Sequence, residues 1–265
     1  MSYKSAENVQ DEQGRQYHIG VNQEELAPNI LLVGDPARSE KVAKHFDSIR
    51  VRRQNREYHT ITGTWQGLPV SVMGTGIGCG NMEIAVVEIC QLLQQPTLLR
   101  VGSCGGLQKH IQLADLVIST GAVRLENVSH SYVPPGYPAI AHHALVQALI
   151  QSAQKLQYPY HVGLTATAPG FYAPQGRQIP GLAPLQPQLP ETLAKLGVKN
   201  LEMEASVLFT LASLREIPAG CICTVFANRP QNTFIHPQDK DQAEQRCIQT
   251  ALHALKIYHD NKANQ

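Results

Sequence analysis

The chain has 265 residues, of which 43% are hydrophobic and 16% are charged. This balance excludes a disordered chain, and the length is sufficient to bury one large hydrophobic core. Lys and Arg total 22 against 21 Asp and Glu, which leaves a formal net charge of +1. A chain so close to neutral has no overall field to attract nucleic acid or an anionic membrane, so any anion site has to be local.

The N-terminus and the cysteines indicate the compartment. Residues 1–17 form a polar tail without the apolar core of a signal peptide. No apolar run approaches the roughly 18 residues that span a bilayer. The cysteines lack paired CxxC spacing, which argues against a zinc site and favours reduced thiols in the cytoplasm. The six cysteines are Cys79, Cys90, Cys104, Cys221, Cys223 and Cys247.

Short apolar runs alternate with helical periodicities along the chain. In chain order they predict a strand at 29–34, a hairpin of 58–66 with 70–73, a helix at 81–93, strands at 97–102 and 115–119, a helix at 142–156, strands at 161–167 and 198–203, a helix at 205–215, a strand at 221–227 and a helix at 243–257. The alternation predicts one α/β domain over residues 1–265, with a largely parallel sheet that helices cover on both faces.

Between the strand at 161–167 and the strand at 198–203 the chain is rich in proline. Six prolines lie between positions 169 and 190. Such a segment cannot form a central strand or a long helix. Long loops are often functional, so we expect residues 169–195 to form an active-site loop, either as an ordered flap or as a lid.

Three glycine-containing loops follow predicted strands, where open α/β sheets bind their ligands. They cover residues 34–38, 74–80 and 100–106, and the first and third carry Arg38 and Arg100. Glycine lets backbone N–H groups approach an anion, and the arginine fork matches phosphate oxygens. A tight turn packed against a helix explains a glycine loop equally well. Arg100 is more informative, because an arginine in an apolar strand needs an anionic partner, either a bound phosphate or a buried carboxylate.

Four stretches in chain order, GDPAR, TGIGCGN, RVGSCGG and NLEMEAS, resemble the signature motifs of the nucleoside phosphorylase-I family. The similarity extends from about His18 to the final predicted helix, which is nearly the whole chain. The resemblance implies a nucleoside phosphorylase-like α/β fold whose core is a mixed, twisted β-sheet and barrel flanked by helices. It also implies self-association as dimers, with a hexamer as the expected assembly.

By this resemblance, phosphate is held by Arg38, Arg56 and Arg100, with Gly34 and Ser103 as neutral donors. Arg56 would come from an adjacent subunit, so a complete site would need at least a dimer. Hydrolytic members of the family lack this arginine set. The resemblance therefore implies phosphorolysis of a nucleoside and disfavours hydrolysis.

The stretch FYAPQGR is similar to the base-binding segment of the uridine-specific branch of the family. Gln175 offers a donor and an acceptor, Arg177 can donate to a carbonyl, and Phe171 can stack on the base. From the residues alone, a solvated Gln–Arg pair on a loop is the alternative. Purine-specific relatives place an aspartate after the strand sequence CTV, whereas CTVFANR contains no acid. Arg229 in that stretch resembles an arginine that supports the uracil site.

The base pocket departs from the family pattern at four positions. Ala173 and Pro174 stand where relatives commonly show Pro-Gly, and Gly176 stands where an acidic residue is familiar. Phe226 is bulkier than the aliphatic residue expected to line the pocket. These changes could alter the lid or narrow the pocket without abolishing uracil binding.

An acidic pair follows the predicted strand at 198–203. By resemblance, Glu204 accepts hydrogen bonds from the ribose 2′- and 3′-hydroxyls, Met203 packs against the sugar, and Glu202 supports the same hydroxyls. His18 matches a histidine that reaches the ribose 5′-hydroxyl of a neighbouring subunit. Without the resemblance, the acids are equally well explained as an acidic pair at a helix N-terminus, and His18 as a surface residue.

The expected reaction is reversible phosphorolysis of uridine to uracil and ribose 1-phosphate in pyrimidine salvage. Phosphate is a co-substrate, and no redox cofactor or divalent metal is implied. Catalysis would be electrostatic, without a protein nucleophile. The residues expected to act in the chemical step are Arg177, Gln175, Glu204 and Arg100.

Two further questions stay open at this stage. Some members of the family bind K⁺ at a dimer interface, and Glu57, Ile77 and Asn81 lie at the corresponding positions, although Asn81 replaces a serine. The alternatives to a uridine-specific enzyme are a purine or broad-specificity nucleoside phosphorylase and a non-catalytic nucleoside-binding relative.

Overall fold

The computed structural model describes residues 6–263, and the eleven strands in that range join into one mixed β-sheet. In chain order the strands are β1 (Asn29–Val33), β2 (Ser48–Asn55), β3 (Tyr58–Trp65), β4 (Leu68–Gly74), β5 (Thr97–Gly106), β6 (Leu116–Arg124), β7 (Ala139–Ile140), β8 (Tyr160–Thr167), β9 (Asn200–Glu202), β10 (Ala219–Asn228) and β11 (Thr233–Phe234). The helices are α1 (Pro36–Ala43), α2 (Cys79–Leu92), α3 (His143–Lys155), α4 (Leu189–Lys195), α5 (Ala205–Leu214) and α6 (Pro237–Ala263).

Five of the strands close into a barrel. β5 pairs with β10, β10 with β6, β6 with β8, β8 with β9, and β9 returns to β5. On the other side of β5 the sheet continues through β1, β4, β3 and β2. The mixed sheet and barrel core implied by the family resemblance are therefore confirmed.

The expectation of a largely parallel sheet is wrong. Among the strand pairs of residues 6–263, five are parallel and six are antiparallel. Alternation of strands and helices along the chain does not reveal which strands become neighbours. Here β10 enters the barrel between β5 and β6 and runs antiparallel to β6, and β9 runs antiparallel to β5.

The neighbours of β5 change along its length, and this change creates the site. β1 pairs with β5 as far as Arg100, whereas β9 pairs with it only at Gly105 and Gly106. Between these two stretches β1 and β9 separate on the same side of β5. A gap at the carboxyl end of a strand, where the strand order changes, is where α/β sheets place their ligands.

Most predicted elements lie close to their expected positions, but β5 is longer than predicted. The glycines expected to turn the chain after residue 102 continue the strand to Gly106. At Gly102 a Cβ atom would lie 2.8 Å from Nη2 of Arg100, so glycine there makes room for a large side chain on the same face. The sequence pattern shows the glycine but not what packs over it.

Five elements were not predicted, namely α1, β2, β7, α4 and β11, of which α1 and β2 are the longest. α1 begins directly after Asp35, whose carboxylate accepts a hydrogen bond from the N–H of Ala37 at 2.9 Å, and Pro36 occupies the first turn. β2 carries three arginines and is largely exposed, because it is an edge strand that pairs only with β3. Charges on both faces hide the period-2 signal on which strand prediction depends.

The proline-rich segment forms neither a central strand nor a long helix, as predicted. It contains one 3-10 turn at Ala173–Gln175, and its last seven residues form α4. The polar tail is described only from residue 6, and its first five residues lie outside the described range. From Val9 onward the tail is tied to the fold, because Val9 accepts a hydrogen bond from Tyr17 at 3.1 Å and Arg15 forms an ion pair with Glu25.

The hydrophobic core lies on both sides of the central strands. α3 packs against α6 on one face, and α2 packs against α5 on another. All six cysteines are free, as expected for reduced thiols. Among the helices of residues 6–263, none combines the length and apolar character needed to cross a bilayer.

Candidate active site

A pocket occupies the gap where β1 and β9 separate along β5. The carboxyl ends of β1, β5 and β10 form its floor, and the β9–α5 junction and the loop after β8 form its walls. Eleven of the residues proposed for phosphate, ribose or base line it: Gly34, Arg38, Arg100, Ser103, Phe171, Gln175, Arg177, Glu202, Met203, Glu204 and Phe226. Sequence motifs from five separate parts of the chain therefore converge on one pocket.

Arg100 lies at the floor of the pocket and is only 3% exposed. Its Nε donates to Glu202 Oε2 at 2.9 Å, and its Nη2 forms an ion pair with Glu204. Burial opposes the charge of Arg100, but Glu204 and Glu202 outweigh it and raise its pKa well above the ordinary value. Of the two anionic partners considered for this arginine, the structure shows buried carboxylates.

Glu202 is saturated with hydrogen bonds. Its Oε2 accepts from Arg100 and from the backbone N–H groups of Glu204 and Ala205, both at 2.9 Å. Its Oε1 accepts from the hydroxyl of Thr167 at 2.5 Å. Burial and the charge of Glu204 raise the pKa of Glu202 to about 7, although Arg100 opposes this rise. In this structure Glu202 caps α5 and holds Arg100, and its expected contact with ribose stays a prediction.

Glu204 occupies the glycine loop that the sequence offered as an anion cradle. The N–H of Gly78 donates to Glu204 Oε1 at 2.6 Å. Gly78 is the residue before α2 and has a φ of +104°, a backbone conformation that L side chains rarely adopt. The loop therefore binds a carboxylate of this chain at the N-terminus of a helix. This contact aims the other oxygen of Glu204 at Arg100.

Arg38 lies on the same side of the pocket, in the first turn of α1. Its Nη1 donates to the carbonyl of Val101 at 3.2 Å, and its Nη2 donates to Glu244 Oε1 at 3.0 Å. The Nε atom is buried and has no hydrogen-bond partner in the structure. A buried guanidinium N–H that is still available can donate to an anion.

Arg56 and His18 do not line the pocket. Arg56 lies in the turn between β2 and β3 and donates to the hydroxyl of Tyr17 at 2.7 Å. Nδ1 of His18 lies 2.6 Å from Glu88, a carboxylate of α2. Both residues were expected to serve the pocket of an adjacent subunit. Their roles in the pocket of an adjacent subunit stay predictions.

The expected base-binding residues form a cluster on the loop after β8. Arg177 Nη1 donates to Gln175 Oε1 at 2.7 Å, and its guanidinium lies 3.8 Å from the ring centre of Phe171. Arg229 lies behind them and donates to the backbone carbonyl of Gln175 at 3.1 Å. Burial and the charge of Arg229 lower the pKa of Arg177 to about 10. The solvated-loop alternative does not describe Gln175, which is 3% exposed.

Two departures from the family pattern have structural reasons. Gly176 has a φ of +69°, and a Cβ atom there would lie 2.8 Å from Pro190 and 2.9 Å from the carbonyl of Pro187, so no side chain fits. Phe226 sits at a bulge in the pairing of β10 with β5, and its ring faces the pocket with an edge contact to Phe234. The bulge aims a large aromatic ring at the base side of the pocket.

The residues expected at a K⁺ site lie close together. A Cβ atom on Gly76 would be 2.3 Å from Nδ2 of Asn81 and 3.3 Å from Cγ of Glu57, and Ile77 follows Gly76 at the surface. Across residues 6–263, no group of three or more His, Cys, Asp or Glu side chains is arranged to hold a metal ion. The K⁺ site therefore stays a prediction.

Sequence reasoning missed two side chains that build the site, Thr167 and Glu244. The second of these left a signal in the sequence. Glu244 stands on the apolar face of α6, on which Ala243, Cys247 and Ile248 are buried. An acid on an apolar helix face needs a buried cation, and here that cation is Arg38.

Comparison with known proteins gives concordant results. The family model described as the phosphorylase superfamily matches residues 28–258. A uridine phosphorylase of Thermococcus kodakarensis is 42% identical over 91% of this chain and 87% of its own length. A uridine phosphorylase of Treponema pallidum is 35% identical over 91% of this chain and 93% of its own. A Trypanosoma brucei nucleoside phosphorylase, whose crystal structure is described as showing uridine phosphorylase activity, superposes with a TM-score of 0.85 at 25% identity and covers 94% of this chain and 99% of its own.

Proposed function

The chain belongs to the phosphorylase superfamily, and from that premise we propose that it is a uridine phosphorylase, a pentosyltransferase. The reaction is reversible phosphorolysis of uridine to uracil and ribose 1-phosphate. The observation that carries the proposal is the joint lining of one pocket by Arg38 and Arg100 on one side and by Gln175 and Arg177 on the other. The names of the similar proteins agree with it.

The arginine side of the pocket suits phosphate. Arg38 has an unpartnered buried N–H, and Arg100 lies nearby with Ser103 and Gly34 on the same wall. Guanidinium groups, a hydroxyl and backbone N–H groups are the donors that phosphate oxygens prefer. In this proposal Glu204 turns from Arg100 toward the ribose hydroxyls when the substrates bind, and phosphate takes the freed guanidinium hydrogens.

The opposite side suits uracil. Gln175 is buried with its amide facing Arg177, and Phe171 offers a ring that is 46% exposed. Purine-specific relatives have an aspartate in the stretch after CTV, whereas this chain has no acid there; Asn228, the last residue of β10, is buried and donates to the carbonyl of Ile111 at 2.7 Å. An amide and a guanidinium can bind the two carbonyls and the ring N–H of uracil, whereas the stretch after CTV offers no acid to protonate a purine.

The chemical step is a separation of charge. As the glycosidic bond breaks, the ribose ring gains positive charge and uracil gains negative charge. The phosphate dianion stabilises the sugar and attacks its anomeric carbon, while Arg177 and Gln175 stabilise the departing base. The pocket thus supplies preorganised charges, and the bond-forming nucleophile is the co-substrate.

The proposal also covers the oligomeric state, a cation site and the cellular compartment of the enzyme. Arg56 and His18 would complete the site of a neighbouring subunit in a dimer, and dimers would assemble into a hexamer. K⁺ would bind near Glu57, Ile77 and Asn81 at the dimer interface. The free cysteines support a reducing compartment, so we place the enzyme in the cytoplasm. Its reaction would serve pyrimidine salvage.

The test is the ultraviolet change of purified protein with uridine, measured with and without phosphate and with inosine in parallel. Consumption of uridine that requires phosphate is the expected result. Consumption of inosine instead would mean that Gln175 and Arg177 do not select uracil. Turnover of neither nucleoside, with a thermal shift caused by uridine alone, would favour a binding protein.

A further inference from the structure

The arginine of α1 that faces the pocket is held by a buried carboxylate of the C-terminal helix. Glu244 lies in α6, with a side chain only 2% exposed, and accepts from Arg38 Nη2 at 3.0 Å. Its second oxygen accepts from Lys41 Nζ at 2.6 Å. Arg38 and Lys41 are three residues apart on α1, so they lie on the same face of that helix. Glu244 thus bridges two cations of one helix.

The ionisation of these groups follows from their contacts. Burial opposes the charge of Glu244, but Lys41 and Arg38 outweigh it and hold its pKa below the ordinary value. Hydrogen bonds to Asp241 and Glu244 raise the pKa of Lys41. All of these groups are therefore charged at neutral pH.

Arg38, Lys41 and Glu244 form a cluster whose net charge differs from that of a simple ion pair. A buried pair of Arg38 and Glu244 alone would present no net charge to the pocket. Lys41 adds a second cation to the same carboxylate, so the three groups together carry one positive charge. Asp241 also pairs with Lys41, at 2.8 Å, but its side chain is 70% exposed, so water screens its charge more strongly than that of the buried Glu244.

The contacts of Arg38 within residues 6–263 use only part of its hydrogen-bonding capacity. Val101 and Glu244 take one hydrogen of each terminal nitrogen on the protein side, and the buried Nε remains unpartnered. We infer that Glu244 is a positioning residue for phosphate binding: it fixes the guanidinium of Arg38 toward the pocket, while Lys41 keeps the cluster positively charged. This inference rests on the proposed function, because it assigns a phosphate-binding role to Arg38.

The experiment measures the KM for phosphate at saturating uridine, and the KM for uridine at saturating phosphate, in four variants. Glu244→Ala frees Arg38, and we expect the phosphate KM to rise about tenfold, as when one charge-assisted hydrogen bond is weakened. Glu244→Gln keeps an acceptor for Arg38 and restores part of the loss. Lys41→Met removes the extra positive charge but keeps the apolar stem, and raises the phosphate KM by a smaller factor. The uridine KM stays unchanged throughout.

Asp241→Asn is the matched control, because Asp241 is on the same helix and contacts the same lysine but not Arg38. Its phosphate KM should equal that of the unmodified chain. An unchanged phosphate KM in Glu244→Ala would overturn the inference. A parallel rise of both KM values would overturn it too, since that pattern indicates a general structural role.

A binding measurement separates this inference from the proposed function. Calorimetric titration with inorganic phosphate requires no turnover, and the affinity should fall about tenfold from the unmodified chain to Glu244→Ala. If the unmodified chain binds phosphate but does not consume uridine, the proposed function fails while the role of Glu244 is still tested. If the unmodified chain binds no phosphate, the inference fails. Should Glu244→Ala not fold, the phosphate KM of Lys41→Met, a change at a half-buried position, is compared with that of Asp241→Asn. A phosphate KM that is equal in these two variants would then overturn the inference.

Discussion

The two sides of the pocket hold their arginines in opposite ways. On the phosphate side, Arg38 in the first turn of α1 and Arg100 inside β5 are both buried, and each is paired with at least one carboxylate. On the base side, Arg177 and Arg229 stand on loops and bond backbone carbonyls and an amide, and neither has a carboxylate partner among residues 6–263. The pKa of Arg100 is raised by its partners, whereas burial lowers the pKa of both Arg177 and Arg229.

The arginines of the phosphate side therefore stabilise the fold, whereas those of the base side are available to bind an anion. A buried arginine with carboxylate partners contributes to the fold, since removing it leaves buried negative charges unpaired. An arginine that is partly desolvated and bonds only neutral acceptors is poised to gain an anionic partner. In this pocket, the negative charge that would develop on uracil is such a partner. The following predictions separate the two kinds of residue.

The largest effect is expected for Arg100→Met. The change leaves Glu202 and Glu204 buried without their cation, which typically costs about 3–5 kcal/mol of stability. Both the melting temperature and kcat/KM for uridine should fall steeply, and calorimetry and the ultraviolet assay measure them. In the double variant Arg100→Met with Glu204→Gln, stability should recover in part while activity does not. An unchanged melting temperature in Arg100→Met would contradict the claim that this buried arginine stabilises the fold.

Arg177→Ala should reduce activity without reducing stability. Loss of one preorganised donor to the departing base costs about 3–4 kcal/mol in the transition state, or 10²–10³-fold in kcat. No buried carboxylate is left unpaired, so the melting temperature should hardly change. Gln178→Ala, at an exposed position of the same loop, is the control and should keep full activity. A drop in melting temperature as large as that of Arg100→Met would erase the contrast between the two sides.

Gly176→Ala should have an intermediate effect on the base side. The new Cβ would meet Pro190 at 2.8 Å and the carbonyl of Pro187 at 2.9 Å, which would displace the Gln175–Arg177 pair. We expect kcat for uridine to fall about tenfold, equivalent to about 1.4 kcal/mol. Gly181→Ala controls for backbone strain, since Gly181 has a similar φ of +77° and open space around it. Equal kinetics for the two variants would show that the packing of Gly176 does not position the pair.

Glu25→Gln should have the smallest effect on activity, and its effect on stability should depend on pH. Burial opposes the charge of Glu25, but Arg15 and Arg53 lower its pKa to about 2 from the ordinary 4.5. Its contribution to stability is thus present above pH 4.5 and is lost as pH falls toward 2. Melting temperatures across this range should show a steeper acid loss for the unmodified chain than for the variant. The variant should keep its kcat at pH 7, because Glu25 lies outside the pocket; a loss of kcat would contradict that separation.

How far the sequence predicts the site depends on the kind of signal. Arg100 was recognisable because a charge inside an apolar strand has to have an anionic partner, and the acids of β9 and α5 were recognisable by family resemblance. The sequence did not predict which anion pairs with Arg100. A phosphate and a carboxylate both satisfy a buried arginine, and the order of residues does not distinguish them. Glu244 was missed for a related reason: it is far from Arg38 along the chain, and only the packing of α6 against the barrel brings them together.

The fold, like the site, was predictable from the sequence only in part. The apolar runs of β1 and β10 and the helical apolar spacing of α2 predict these three elements, since burial on both faces or on one face determines where apolar residues stand. β2 has no such spacing, because an exposed edge strand with three arginines buries neither face. The extra length of β5 depends on Gly102, which reads as a turn signal locally but serves in the barrel to admit the guanidinium of Arg100.

By itself, the sequence determined the α/β class, most elements and the set of motifs that meet in the pocket, because these depend on local periodicity and on residue chemistry. The tertiary structure alone decided which five strands close the barrel, that Glu204 sits in the glycine loop, and that Glu202 and Glu244 each hold an arginine. Such pairings join residues that are distant along the chain. Their energies depend on burial and on a few ångströms of separation, which no one-dimensional pattern records.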